Sequence, residues 1–345
     1  MKKAIILGTR PEIIKLSPLI RELKEEDILI HTNQHYSENM DKVFFDELNL
    51  RKPNYNLNVG SGSHGKQTAD MLVKIEEILI KEKPDVVIVQ GDTNSVLAGA
   101  LAATKLHIKV AHVEAGLRSF DMSMPEEKNR IMVDHISDYL FSPTQETTQH
   151  LLNEGISKDK IFTVGNTIVD ATLSNSNLIE KDVSNKYMLL TMHRAENVDS
   201  RERLEFLISQ INLIANSINV IFPIHPRTKK MLEEFNLNLH SNITVIEPVG
   251  YLEFLKLQKN ATLILTDSGG IQEEACILKV PCITLRTTTE RPETISVGAN
   301  ILMTSNLEED VKKMLQINTN WENPFGENAT QKIMEILEED KKNEQ

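Results

Sequence analysis

An apolar run rich in β-branched residues ends in Glu114, and a helical segment a short way on opens with Pro125-Glu126-Glu127. Arg118 and Arg130 fall in the same stretch, 110–130. Charges at the end of a buried strand must be paired or used, because an uncompensated buried charge is expensive. Two readings are open. One is a structural ion-pair knot, since scaffolding ion pairs also perturb charge states. The other is a set of acid/base carboxylates tuned by neighbouring arginines.

Further residues of chemical interest follow other apolar runs. Gly8-Thr9-Arg10-Pro11-Glu12, with Lys15 one turn on, follows the first. Glycine suits a tight turn, Pro11 suits the first helical position, and Arg10 is then held at a helix N-terminus, where an anion binds. Gln90-Gly91-Asp92-Thr93 follows a third run, with Asp92 either a helix cap or a functional acid. His193-Arg194-Ala195-Glu196 and His225-Pro226-Arg227 end two later runs. A lone histidine is usually structural, but one flanked by Arg and Glu at a strand end is a better candidate. The most specific local pattern is Thr266-Asp267-Ser268-Gly269-Gly270, entering a helix that carries Glu274. Glycines there let backbone N–H groups approach a diphosphate, and a helical acid can accept from ribose hydroxyls. Arg291 follows another run, in Glu290-Arg291-Pro292.

Strands and helices must alternate to place these residues. Strands are predicted over 4–7, 28–32, 86–89, 110–113, 139–142 and 161–164. A second series is predicted over 187–191, 220–224, 243–246, 263–266, 281–285 and 300–303. Short, continuously apolar runs are what strands buried on both faces look like, and amphipathic stretches lie between them. The pattern is α/β, with two six-stranded, doubly wound Rossmann-like domains. The first is expected over 1–170 and the second over 171–326, joined through the polar stretch 171–186. Residues 327–345 read as an amphipathic helix with a charged end. Ligands sit outside the carboxyl ends of such sheets, so a central cleft between the domains is expected.

Composition narrows the partners. The 345 residues carry a formal net charge of −12, which argues against nucleic acid. Seven of the eleven arginines (10, 118, 130, 194, 227, 286 and 291) lie at or just after predicted strand ends. Arginine concentrated there in an acidic chain points to a small anionic ligand. No apolar run approaches the roughly 18 residues of a membrane span, and the residues before the first predicted strand form no cleavable apolar region, so secretion is not expected. Cys276 and Cys282 have no metal-ligand spacing and read as reduced core thiols. A cytoplasmic protein without membrane attachment is expected.

In order and spacing, GTRPEIIK (8–15), QGDT (90–93), HVEAGLRS (112–119), PEEKNR (125–130), HRAEN (193–197), TDSGGIQEEA (266–275) and TTERPE (288–293) resemble the non-hydrolysing UDP-N-acetylglucosamine 2-epimerases. The resemblance spans nearly the whole chain. It implies a glycosyltransferase-B-like fold, UDP held mainly by the C-terminal half, and a C-terminal helix packing back on the first domain. It implies reversible C2 epimerisation of UDP-N-acetylglucosamine to UDP-N-acetylmannosamine through elimination of UDP, a bound 2-acetamidoglucal, and re-addition. Carried over position by position, Asp92, Glu114 and Glu126 are the acid/base carboxylates, and His193 is a catalytic-site residue near the diphosphate. Arg10, Ser268, Gly269, Gly270 and Glu274 match UDP contacts. Lys15, Arg118, His225 and Arg291 are further expected substrate-binding residues. A UDP-sugar is the expected partner, with no cofactor and no metal, and the expected assembly is a homodimer.

Two departures stand out. Many bacterial members read Gln-His-Arg-Glu-Met-Leu where this chain has Gln34-His35-Tyr36-Ser37-Glu38-Asn39-Met40, and use the region in an allosteric site for a second UDP-sugar. The change implies turnover that needs little activating UDP-N-acetylglucosamine. The loop before Pro125 is also short, which leaves the N-acyl and C6 specificity open. An epimerase for a modified UDP-sugar such as a diacetamido-uronate, and a UDP-sugar sensor without chemistry, are the alternatives. Retention of all three carboxylates speaks against the sensor.

Overall fold

The structure, a computed structural model, describes residues 1–33, 44–60, 62–181 and 186–343. The altered segment 34–40 lies outside the described residues, as does part of the linking stretch 171–186. By internal contacts the chain divides into two compact units, Met1–Ala171 with Phe325–Gln345, and Thr172–Pro324.

In the first unit the strands are β1 (Lys3–Leu7), β2 (Ile28–His31), β3 (Tyr55–Asn56), β4 (Val86–Gln90), β5 (Lys109–Val113), β6 (Tyr139–Ser142) and β7 (Ile161–Thr163). They form one parallel sheet in the order β3-β2-β1-β4-β5-β6-β7. The second unit has β8 (Tyr187–Thr191), β9 (Asn219–Pro223), β10 (Ile243–Ile246), β11 (Leu263–Thr266), β12 (Cys282–Thr284) and β13 (Asn300–Leu302). Their order, again all parallel, is β10-β9-β8-β11-β12-β13. This is the doubly wound α/β class expected, with one correction. The first sheet has seven strands rather than six. The added strand is two residues long, with Tyr55 half-buried and Asn56 exposed, so it leaves no apolar run to read. Its pairing with Ile30 and His31 at the sheet edge creates it.

Burial explains the legible strands. Every residue of β1, β2, β4, β6, β8 and β11 is buried, because helices cover both faces of each sheet. Strand order reverses between β1 and β4, and again between β8 and β11. A crevice opens outside the carboxyl ends at such reversals. The turns that matter are therefore those after β1, β4 and β5 in one unit, and after β8 and β11 in the other.

The helix Ala329–Asn343 belongs to the first unit. Ile333 and Leu337 are fully buried, and the Thr330 N–H donates to Asp170 at 2.7 Å. Asp340 reaches Lys109 Nζ at 2.6 Å and also accepts from the Tyr139 hydroxyl. Among the described residues no helix is long and apolar enough to cross a membrane.

Gly8 has a different reason from the one its sequence suggests. Its φ is outside the left-handed region, so no turn requires glycine there. Instead a Cβ would lie 2.1 Å from Ser95 Oγ and 2.3 Å from Thr32 Oγ1, two buried hydroxyls bonded to each other at 2.7 Å. Gly8→Ala is expected to destabilise by about 1–3 kcal/mol, as overpacking of a close-packed interior does. Urea unfolding measures it; an unchanged midpoint would refute the crowding.

Candidate functional site

In the first unit, Glu114 leaves β5 with φ at +71°, a left-handed conformation that non-glycine residues adopt rarely. Such backbone concentrates at functional sites, where surrounding contacts enforce it. Here the Glu114 and Ala115 N–H groups both donate to Phe141 O at 3.1 Å. The Glu114 carboxylate is buried. It accepts from Lys15 Nζ at 2.5 Å, from the Gln90 amide, and from Asn166 Nδ2 at 3.4 Å. Lys15 is thus brought to Glu114 from the helix Arg10–Arg21, as sequence order alone does not suggest.

Asp92 lies just beyond β4, after Gly91 at φ +85°. Its carboxylate accepts from Arg130 Nη2 at 2.5 Å, and its carbonyl accepts from Asn129 Nδ2 at 2.9 Å. Both partners come from the helix Pro125–Ile136, which Pro125 opens at its first position. Glu126, on the first turn, is half-buried, and its carboxylate makes no ion pair or hydrogen bond with the described residues. Arg10 places its guanidinium 5.4 Å from the centre of the Phe44 ring.

Arg118 is turned into the fold. Its guanidinium is 1% exposed, lies 2.7 Å from Asp134 and forms a two-pronged pair with Glu154 at 2.6 and 2.7 Å. Burial pulls the guanidinium's pKa down, but Glu154 and Asp134 outweigh it and push it up. Asp134 also receives His112 Nδ1 at 2.7 Å and the Gly116 N–H at 3.2 Å. His112 Nε2 donates to Gly91 O at 2.8 Å. Burial works against the Asp134 carboxylate, yet His112 and Arg118 hold it below the usual carboxylate range. The stretch 110–130 therefore does contain an ion-pair knot, one of the two readings its sequence left open. Arg118 joins an ion-pair knot, while Glu114 and Glu126 stay out of it.

In the second unit, Asp267, fully buried after β11, organises the turn after β8. It accepts the N–H groups of His193 (3.0 Å) and Arg194 (2.9 Å), and Asn197 Nδ2 at 3.1 Å. His193 Nδ1 lies 3.1 Å from its other oxygen. Burial raises the carboxyl, but these donors hold it low. With Nδ1 turned to Asp267, Nε2 is the ring nitrogen left for other partners. The His225 ring centre lies 5.7 Å from that of His193. His225 Nδ1 caps the helix Pro226–Phe235 by accepting the Arg227 N–H at 3.2 Å. Burial, then the neighbouring His193 and Arg227, lower its pKa.

Ser268 occupies the N-cap position of the helix Gly269–Ile277 without a side-chain capping bond, and its N–H donates to Thr266 Oγ1 at 3.0 Å. Neither Gly269 nor Gly270 has a left-handed φ, and a Cβ on Gly270 would meet nothing within 4 Å. Neither crowding nor backbone handedness demands glycine there. Glu274 is buried and accepts from Gln258 Nε2 at 2.5 Å. Arg291 Nε lies 2.7 Å from the buried carboxylate of Glu273.

Three residues that the sequence reading quoted without assigning a role anchor these turns. Glu12 is buried, and its carboxylate accepts the N–H groups of Gly8 (2.6 Å) and Thr9 (2.8 Å) and the Thr93 hydroxyl (2.6 Å). Thr9-x-x-Glu12 is a capping-box pattern, a signal that identifies the cap but not the tie to Thr93. Glu127 and Asp267 were quoted only within their motifs: the Glu127 tie to the loop N–H groups of Ser119 and Phe120 depends on how that loop folds back, and the partners of Asp267 lie about seventy residues away.

Comparison with known proteins gives a consistent picture. Residues 20–338 match the family model for UDP-N-acetylglucosamine 2-epimerase. A UDP-N-acetylglucosamine 2-epimerase of Methanocaldococcus jannaschii is 62% identical, over 98% of this chain and 99% of that one. A UDP-2,3-diacetamido-2,3-dideoxy-D-glucuronate 2-epimerase of Pseudomonas aeruginosa is 44% identical, over 88% of each. A crystal structure of the M. jannaschii UDP-GlcNAc 2-epimerase in complex with UDP-GlcNAc and UDP superposes with a TM-score of 0.86 at 62% identity, covering 98% of this chain and 99% of that one.

Burial pushes the Glu12 carboxyl up from 4.5 to about 7, against the lowering effect of Thr93, Gly8 and Thr9 and with a small raising effect of Asp92. A carboxyl raised in the folded state favours folding when neutral. Its contribution is greatest below 4.5 and is lost as pH rises towards 7. Glu12→Gln is neutral throughout, so wild type should lose about 2–3 kcal/mol relative to the variant between pH 5 and pH 8. Denaturant titrations at both pH values check this, and a constant difference would refute it.

Proposed function

The chain belongs to the UDP-N-acetylglucosamine 2-epimerase family, and from that premise we propose that it interconverts UDP-N-acetylglucosamine and UDP-N-acetylmannosamine by inverting C2 of the sugar. A carboxylate of the first unit takes the C2 proton while the C1–O bond to the diphosphate breaks and UDP leaves with the electron pair. The bound product is 2-acetamidoglucal. Return of UDP oxygen to C1, with protonation of the opposite face of C2, completes the inversion. A C2 proton is not acidic, so a placed base is needed. The departing diphosphate needs cationic and N–H stabilisation.

The observation that supports this best is Glu114, held at φ +71° with its carboxylate between Lys15 and Gln90. Asp92, fixed by Arg130, and Glu126, unpaired on its helix, are the other two acid/base groups in this reading. In this reading Ser268, Gly269, Gly270 and Arg291 hold the diphosphate end, and Glu274 accepts from the ribose. His193, oriented by Asp267, acts beside the leaving diphosphate, with His225 at its side. Glycine at 270, which neither packing nor φ explains, suits close approach of a phosphate. Arg118 stays with the scaffold. The 44% identity to a diacetamido-glucuronate epimerase supports a second reading, in which C2 chemistry is the same and the C3 and C6 substituents differ.

Incubation with both UDP-sugars in deuterated water, followed by NMR, tests the reading; deuterium is expected at C2 of UDP-N-acetylglucosamine. Exchange confined to the diacetamido-uronate would favour the second reading, and exchange in neither would sink both. Glu114→Gln and Glu126→Gln should each lower kcat by roughly 10² or more, the usual order for a positioned acid/base, with UDP affinity nearly unchanged. A purely structural role would instead lower the melting temperature and keep activity per folded molecule. Gly270→Val should weaken UDP binding at least about tenfold, about 1.4 kcal/mol, by calorimetry; unchanged affinity removes Ser268-Gly269-Gly270 from the site.

A further inference from the structure

We propose that Glu127 is a positioning residue, tying the loop after Glu114 to Asp92 through Arg130; the proposal rests on the acid/base reading of Asp92 given above. Glu126 and Glu127 are adjacent acids in the first turn of one helix, where either would suit the helix dipole. The fold treats them differently. Glu126 is half-buried and its carboxylate unpaired among the described residues, whereas Glu127 is 1% exposed. An acid serving only the dipole has no need of burial, which is costly for a charge without dedicated donors.

Glu127 has such donors, and they come from two directions. The Ser119 N–H lies 3.0 and 3.1 Å from its two oxygens, and the Phe120 N–H donates at 2.9 Å. Arg130 Nη1 donates at 2.6 Å, while Nη2 of the same guanidinium holds Asp92 Oδ2 at 2.5 Å. One planar group thus spans two carboxylates, and its fork geometry fixes the direction of both bonds. The loop end, Glu127, Arg130 and Asp92 form one continuous chain of contacts. Where the loop meets this anchor Phe120 takes φ +59°, a conformation an aromatic residue rarely adopts.

The charged groups around the chain are few. Arg130 comes from the same helix, Asp92 from the turn after β4, and Glu12, whose carboxyl senses the charge of Asp92, from the helix after β1. Burial raises the Glu127 carboxyl, but the loop N–H groups and Arg130 more than reverse it and hold it low. Glu127 therefore stays ionised and keeps Arg130 in place. An amide at 127 would turn an N–H towards either Arg130 or the loop, and release one of them.

A double-mutant cycle on the full chain tests the proposal, read by C2 deuterium incorporation, KM, UDP affinity and melting temperature. Glu127→Gln should lower kcat at least tenfold, with KM and UDP affinity changed less than threefold. In the Asp92→Asn background the same change should lower kcat no more than twofold further, because groups acting as a unit are not additive. Glu127→Asp, which keeps the charge but shortens the reach, should fall between wild type and Glu127→Gln; if the Gln variant does not fold, the Asp variant carries the cycle. Multiplicative losses, or a loss that merely follows the folded fraction, would overturn the proposal. Wild-type protein that exchanges no C2 proton would instead mean that the epimerase reading itself has failed.

Discussion

Much of the first unit hangs on one fully buried carboxylate, Asp134. It receives His112 Nδ1, Arg118 Nη2 and the Gly116 N–H. Through His112 Nε2 it also reaches Gly91 O, the carbonyl just before Asp92. Glu114 lies between His112 and Gly116, so the turns after β4 and β5 share one anchor. A buried ion cluster is weak evidence for net stability, because desolvation offsets the attraction. Breaking it by removing one partner is a different matter, and leaves a charge stranded. The cluster therefore acts as a register device: it allows one arrangement of the two turns and penalises others.

The second unit repeats the device with different residues. Asp267 ends one strand of the reversal between β8 and β11 and collects the backbone N–H groups of the other strand's turn, together with the Asn197 amide and His193 Nδ1. In both units a carboxylate with no access to solvent fixes a turn at a strand end, and a partly exposed group on that turn faces outwards. For the first unit that group is Asp92; for the second it is His193. Ionised partners inside a low-dielectric interior make short, directional bonds, which suits residues that must hold an orientation.

Position relative to the sheet separates the arginines by role. Arg118 and Arg130 are close in sequence, and both follow β5. Arg118 turns inwards to Asp134 and Glu154 and is almost fully buried, whereas Arg130 bridges Asp92 and Glu127 and keeps some exposure. The same contrast divides Glu126 from Glu127. Position in the sequence, at or just after a strand end, does not say which guanidinium turns into the fold.

The α/β class, the strands and their alternation with helices were legible in the sequence, because strands buried on both faces must be apolar throughout. So were the turns worth reading: Gly8 to Glu12, Gln90 to Thr93, Glu114, His193 and Ser268-Gly269-Gly270 all follow such runs. The two-residue β3 was not legible, since pairing at an edge needs no apolar pattern. Nor were the partners of Glu114, which come from a helix (Lys15), from β4 (Gln90) and from the connection after β7 (Asn166). Local chemistry determines that Thr9-x-x-Glu12 caps a helix; only the strand order, which sets β1 beside β4, lets Glu12 take the Thr93 hydroxyl. Gly8 shows the same division. Its identity reads as a turn, but the reason for it is the pair of hydroxyls that β2 and the helix after β4 bring against it. Sequence periodicity reports what is buried, whereas the pairing of buried polar groups depends on which elements become neighbours, and that only the packed sheet decides.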